Sequence, residues 1–295
     1  MMAPAAPNLF LLGAAKAGTS TLYDWLAAHP QVYMSPVKEP HHFTPAMPDG
    51  RPVPGAVTAR AAYLALFADG AAQRWRGEAS ASYLHHGAVV VPAILRLAPQ
   101  ARFLVLLREP VARAWSHYLM AKRAGQLRRS FESIVAAAPA LPPRSAAADC
   151  IEMGCYAEQL RAVLTQVPRE RLWVGLQADL ARAPAALAAG LAAFLEIDVA
   201  GFPAAAPRRN AHAAPRGGLA AALLRAGPAR ALRRRLPAGF AAPLRRLLLR
   251  EQPPPPIPTA AAERLAAYYA PQLAELEALL GRSLPALYYR GFGVR

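Results

Sequence analysis

Only three of the 34 basic residues in this 295-residue chain are lysines, Lys16, Lys38 and Lys122, and Asp and Glu together number 18. Where charge alone is wanted the chain uses arginine, so each lysine, a compact point charge rather than a planar fork, marks a place where that difference matters. The net charge of +16 and the isoelectric point near 10.8 invite a polyanionic partner. A polyanion site, however, needs its cations clustered on one face, and arginine-rich residue usage does not supply that, so no nucleic-acid partner is predicted. Cysteine is nearly absent. Cys150 and Cys155 make neither a CxxC pair nor a disulfide framework, which predicts ordinary buried thiols in a reducing cytoplasm. No apolar run reaches about 18 residues, and the run Asn8 to Gly13 lacks a basic lead and is too short for a signal segment; a soluble, cytoplasmic protein is expected. The histidine pairs His41-His42 and His85-His86 have no third ligand at usable spacing, so no metal site is predicted.

What is present is 55% hydrophobic, enough for a large core in one domain spanning 1–295. Residues 8–13 read as a buried strand that stops at a glycine and is followed by a polar loop and a helix over 19–28. A second buried strand, 102–107, ends at Arg108-Glu109-Pro110 and opens a helix running to about Lys122. A third unit has a helix over 155–166, a strand over 171–176 and a helix over 184–195. This alternation predicts an α/β fold: a central parallel sheet flanked by helices. Proline and glycine predict surface loops at about 44–58 and 138–149. The 225–250 segment carries eight arginines and no acid. It reads as short amphipathic helices with solvated arginines, or as a track for a polyanionic saccharide or a peripheral contact with an anionic surface. A polyproline connector, Pro253 to Pro256, leads to a final helix over 259–280, so that 225–295 forms a helical C-terminal extension packed on the domain.

The loop after the first strand, Gly13-Ala14-Ala15-Lys16-Ala17-Gly18-Thr19-Ser20-Thr21, has the composition of a phosphate cradle. Small residues let backbone approach an anion, and the helix start that follows offers free N–H groups and the positive end of its dipole. A tight turn with Thr19 or Ser20 as N-cap would explain the hydroxyls, but not Lys16. A nucleoside-triphosphate loop would carry its lysine directly after the last glycine, and a magnesium-dependent site would need an acid at a neighbouring strand end. Here the lysine precedes Gly18 by two residues and the strand ends in Arg108. Two anion sites at two strand ends suit a nucleotide with separate 5′ and 3′ phosphates, gripped beyond the carboxyl ends of parallel strands.

Lys16-Ala17-Gly18-Thr19-Ser20-Thr21-Leu22 resembles the 5′-phosphosulfate loop of the sulfotransferases that use 3′-phosphoadenosine 5′-phosphosulfate (PAPS). Arg108-Glu109-Pro110-Val111-Ala112-Arg113-Ala114-Trp115-Ser116-His117-Tyr118 is similar to their 3′-phosphate motif. Glu39-Pro40-His41-His42-Phe43 resembles the acidic segment of the heparan-sulfate-type branch and its bacterial cousins. Gly77 to Leu84, Gly154-Cys155-Tyr156 with Leu160, and Leu280-Gly281-Arg282 extend the resemblance over most of the chain. It implies a PAPS-dependent sulfotransferase with a P-loop-like nucleotide site and no metal, releasing 3′-phosphoadenosine 5′-phosphate (PAP). Lys16, Ala17, Gly18, Thr19, Ser20 and Thr21 would hold the 5′ end, and Arg108 and Ser116 the 3′-phosphate. Arg209 or Arg216 would close a basic loop over the nucleotide. Lys16 would neutralise the leaving oxygen and Glu39 would take the acceptor proton, with His41 as the rival base. His42, Ser80, Ser82 and Tyr83 would line the cleft of an acceptor, a carbohydrate by the family branch, with strand and turn packing the alternative for Ser80, Ser82 and Tyr83. Animal heparan-sulfate enzymes carry a helper lysine where this chain has Ala79, so their acceptor specificity does not carry over. Two rival functions remain open from sequence: an NTP-dependent transferase of P-loop kinase type, and a non-catalytic nucleotide or polyanion binder.

Overall fold

A computed structural model of the chain describes residues 6–44, 46, 52–205, 213–215, 249–251 and 253–289. Five parallel strands form the central sheet: β1 (Leu9–Gly13), β2 (Val32–Met34), β3 (Trp75–Ala79), β4 (Arg102–Leu107) and β5 (Leu172–Leu176), in the order β2-β3-β1-β4-β5. β1 lies at the centre, paired with β3 and β4, and all five of its residues are buried. A strand covered on both faces has no polar side, which is why its sequence is an unbroken apolar run.

Alternate side chains of one strand enter opposite layers. Phe10 and Leu12 of β1, with Phe103, Val105 and Leu107 of β4, face one core, formed with α3 (Gly87–Leu97), α7 (Tyr156–Leu164) and α10 (Thr259–Leu280). Leu9 and Leu11, with Leu104 and Leu106, face the other, covered by α1 (Thr19–Ala27) and α9 (Pro184–Leu195). A third apolar cluster joins α4 (Pro110–Arg123), α5 (Phe131–Ala136) and α6 (Ala146–Glu152) to the start of α10. The remaining helices are the short α2 (Arg60–Ala65) and α8 (Asp179–Arg182). The two cysteines sit buried in this third cluster, their thiols pushed up by burial to about 12 for Cys150 and about 11 for Cys155.

Most long elements fall where periodicity predicts them. The stretch 138–149, expected as a loop, instead contains the start of α6, capped by the Ser145 side chain on the Ala148 N–H. Residues 208–256 form a second compact unit, in which β6 (Ala213–Pro215) pairs antiparallel with β7 (Leu249–Glu251). Most of the arginine-rich segment, 225–248, lies outside the described residues, as do Arg209 and Arg216.

The carboxyl ends of β1, β3 and β4 open onto one edge of the sheet. β1 runs on into α1 on one face while β3 leads to α3 on the other, which makes this edge the topological switch point of the sheet. Phe10 bridges core and edge: its ring stacks on Phe103 at 6.0 Å and meets Phe43 edge-on at 6.2 Å. Phe10→Ala is therefore expected to cost about 3–5 kcal/mol, read as a lower denaturant midpoint with an unchanged slope.

Candidate active site

The turn between β1 and α1 is shaped by two residues with left-handed backbone, Lys16 at φ 69° and Gly18 at φ 89°. Gly18 is the N-cap of α1, and no side chain caps that helix. The alternative role for Thr19 and Ser20, as caps, is thereby ruled out. The φ of 89° makes glycine the residue this N-cap position requires, and a Cβ there would also crowd the Gln177 side chain at 3.2 Å.

Arg108, the residue after β4, donates from its guanidinium to the Lys16 carbonyl at 3.1 Å, so the lysine-bearing turn and the arginine share one crevice. Tyr156 at the start of α7 donates its hydroxyl to the Arg108 carbonyl at 2.8 Å and fixes the backbone there. Glu109 caps α4, accepting the Val111 and Ala112 N–H groups at 2.7 Å each. This leaves Ser116, half-buried on α4, on the helix that also carries Met120, whose Sδ lies 3.6 Å from Lys16 Nζ. Burial, followed by Arg123 and Arg108, holds the Lys16 ammonium below its ordinary value, and Glu39 alone among its charged neighbours opposes them. Such a site lacks negative charge and gains by binding an anion.

The segment after β2 carries the carboxylate. Glu39 and His41 both adopt left-handed backbone, at φ 59° and 49°, a conformation that side-chain-bearing residues hold only when their surroundings impose it. Glu39 receives Lys38 Nζ at 3.0 Å on one oxygen and faces His41 Nε2 at 3.7 Å with the other. His41, then Lys38, draw its carboxyl down to about 2 against the cost of burial. The His41 Nδ1 lies 3.2 Å from Ser82 Oγ, which is half-buried and also 3.1 Å from Thr44 Oγ1.

Three residues expected in the acceptor cleft are turned elsewhere. His42 stacks on Tyr63 at 4.0 Å with Nδ1 2.7 Å from the Val57 carbonyl. Ser80 and Tyr83 are fully enclosed, hydrogen-bonded to Glu78, and so hold the loop from behind rather than meet a substrate. Sequence reasoning passed over Glu78, which burial pushes up to about 7, and Tyr156; a lone acid or tyrosine in a motif gives no sign of its partner. Among the described residues no group of three His, Cys, Asp or Glu could hold a metal, and no helix is long and apolar enough to cross a membrane.

No protein-family model matches the chain. A crystal structure of a sulfotransferase from Alicyclobacillus acidocaldarius is similar over 96% of this chain and 99% of that one, with a TM-score of 0.70 and 27% identity. The chain shares the fold of that sulfotransferase over nearly its whole length. Human carbohydrate sulfotransferase 15 is 30% identical over 150 residues, 38% of this chain and 27% of that protein, and the rat protein is 31% identical over the same shares. The chain thus spans about a quarter of the length of these curated relatives. The five-stranded parallel sheet flanked by helices is the fold seen in that sulfotransferase structure.

Two expectations follow for this site. Tyr156→Phe removes one hydrogen bond to the Arg108 carbonyl and should lower stability by about 1 kcal/mol in urea unfolding, with the fold intact. Because its folded-state carboxyl is depressed, Glu39 contributes stability that is fully present above its ordinary value of 4.5 and is lost as pH falls toward about 2. Urea midpoints of wild type and Glu39→Gln measured across that range should converge at its acid end.

Proposed function

We propose that this chain transfers the sulfuryl group of PAPS to a hydroxyl or amine of an acceptor, with a carbohydrate or glycoconjugate hydroxyl as the leading class, in the reducing cytoplasm. The observation that carries the reading is the contact between the Arg108 guanidinium and the Lys16 carbonyl. It joins cationic groups from two strand ends in one crevice, as a ligand with phosphates at both its 5′ and 3′ ends requires. The carbohydrate class draws its support from the curated relatives.

The donor set suits such a ligand. An ammonium, a guanidinium, hydroxyls and a helix N-terminus all donate, and none brings negative charge to a phosphate. PAPS supplies an activated sulfuryl group: the new bond from acceptor oxygen to sulfur forms as the bond from sulfur to the phosphate oxygen breaks, leaving PAP. Ala17, Gly18, Thr19, Ser20 and Thr21 hold the 5′ end, and Arg108 with Ser116 the 3′-phosphate. Lys16 neutralises the charge that develops on the leaving phosphate oxygen. Glu39 accepts the acceptor's proton on a carboxylate oxygen, and His41 orients that carboxylate. Of the pair, Glu39 is the more open, with 41% of its side chain exposed against 15% for His41.

A P-loop kinase would carry its lysine after Gly18 and a metal-binding acid at a strand end. In this chain Thr19 follows Gly18, β4 runs into Arg108, and the carboxylate of Glu78 on β3 is already engaged by three hydroxyls. A non-catalytic binder would have no use for a strained loop that brings a carboxylate beside Lys16.

Calorimetric titration with PAP, ADP and ATP should give strong binding for PAP alone; preference for ATP would overturn the assignment. With PAP release from PAPS measured against a panel of saccharides, Glu39→Gln should lower turnover about 10²- to 10⁴-fold and His41→Ala by less. Loss confined to the histidine variant would transfer the base role to His41.

A further inference from the structure

Glu78 is the one acidic side chain among the described residues that is fully buried, and it occupies a position on β3, opposite Phe10 of β1, where the core would take an apolar residue. Among the described residues no cation forms an ion pair with it. Its partners are hydroxyls: Tyr63 at 2.6 Å, Ser80 at 2.9 Å and Tyr83 at 3.1 Å. A buried carboxylate persists only where its lone pairs are satisfied, and these three donors do that.

Each of the three donors also holds one residue of the loop that follows Glu39. Ser80 Oγ accepts the His41 N–H at 3.2 Å, the Tyr63 ring stacks on His42 at 4.0 Å, and the Tyr83 oxygen accepts the Phe43 N–H at 3.1 Å. Three consecutive loop residues are thus each tied to a group whose hydroxyl points at one carboxylate. The direction of the bonds matters. A hydroxyl that donates its proton to a carboxylate turns its lone pairs toward other donors, and the two bonds polarise one another. With Glu78 as an acceptor for all three, Ser80 and Tyr83 are left oriented to receive the loop N–H groups, and the left-handed backbone at Glu39 and His41 is held in place.

We infer that Glu78 is a positioning residue for this reaction: from behind the sheet edge its carboxylate sets the orientation of three hydroxyls, and through them the backbone that presents the Glu39–His41 pair. The inference rests on the reading of that pair as the proton-accepting group. Glu78 touches no substrate. It acts through Ser80 and Tyr83, and a glutamine in its place, isosteric but bearing two donor hydrogens on one side, forces at least one of the three hydroxyls to rotate.

The test is amide hydrogen exchange on the full chain, alongside PAP calorimetry and PAP release from PAPS with the most active saccharide of the panel. For Glu78→Gln, exchange at His41 and Phe43 should accelerate at least tenfold while β1 and β4 stay protected. PAP affinity and the KM for PAPS should remain within twofold of wild type, and turnover should fall at least tenfold. Unchanged protection at His41 and Phe43 overturns the inference. So does a loss of protection that spreads equally through β1 and β4, or one accompanied by an equal loss of PAP affinity, since either marks a merely structural role. Should the glutamine variant fail to fold, Ser80→Ala reads the same relay with the carboxylate retained: selective exchange at His41 with reduced turnover supports it, and wild-type protection overturns it. The exchange measurement uses no PAPS, so it decides the inference about the loop even if the chain transfers no sulfuryl group.

Discussion

The contact on which the site depends is the bond from the Arg108 guanidinium to the Lys16 carbonyl. It sets two like charges at the ends of adjacent strands on one crevice, an arrangement that repels itself until an anion arrives. The sheet makes it tolerable. β1 and β4 pair along their length, with the register shifting between Leu11 and Gly13 as β1 reaches the edge, and apolar residues of both strands are buried in the cores on either face. The stability that holds the two cations together comes from that packing, at about 1.5–3 kcal/mol per buried large side chain, and not from the polar groups at the rim. Tyr156 and the Glu109 cap then add direction, fixing the backbone on either side of the arginine.

The parts legible in the sequence are those whose physics is local. β1 and β4 are continuous apolar runs, and the helix over 259–280 follows from its own periodicity. The Lys16 turn is recognisable because small residues, a lysine and hydroxyls stand together. β3 is the counterexample. Trp75-Arg76-Gly77-Glu78-Ala79 shows neither alternation nor an apolar run, because Glu78 points into the core and is satisfied there by groups from α2 and the segment after β3. α3 includes Pro92, and α6 follows a proline-rich stretch, so local breakers hid elements that tertiary packing sustains.

The same limit governs the side chains of the site. From sequence, Ser80 and Tyr83 suit an acceptor cleft or strand and turn packing alike, since hydroxyls in a motif give no hint of which way they face. Their enclosure follows from a carboxylate two and five residues away in sequence, which needs them. His42 is adjacent to His41 and chemically identical to it, yet the chain turns one toward Glu39 and the other onto Tyr63. The difference is set by backbone dihedrals, which no residue type announces. Thr19 and Ser20 are the converse case: sequence offered capping as their task, and the left-handed Gly18 performs the turn without them.

The low basicity of Glu39 bears on how a site of this kind starts its reaction. A carboxyl at about 2, held there by His41 and Lys38, is a poor proton acceptor as it stands. The charges around it are not fixed, however, because Lys16, Arg108 and Arg123 form a positive field whose main counterweight among the charged groups around Lys16 is this carboxylate. Negative charge brought to Lys16 and Arg108 takes over that role, and by Coulomb's law it raises the free energy of the ionised carboxylate beside it. An anion at Lys16 and Arg108 and the charge on Glu39 are thereby linked electrostatically, since the carboxylate is the group that now offsets the positive field around Lys16.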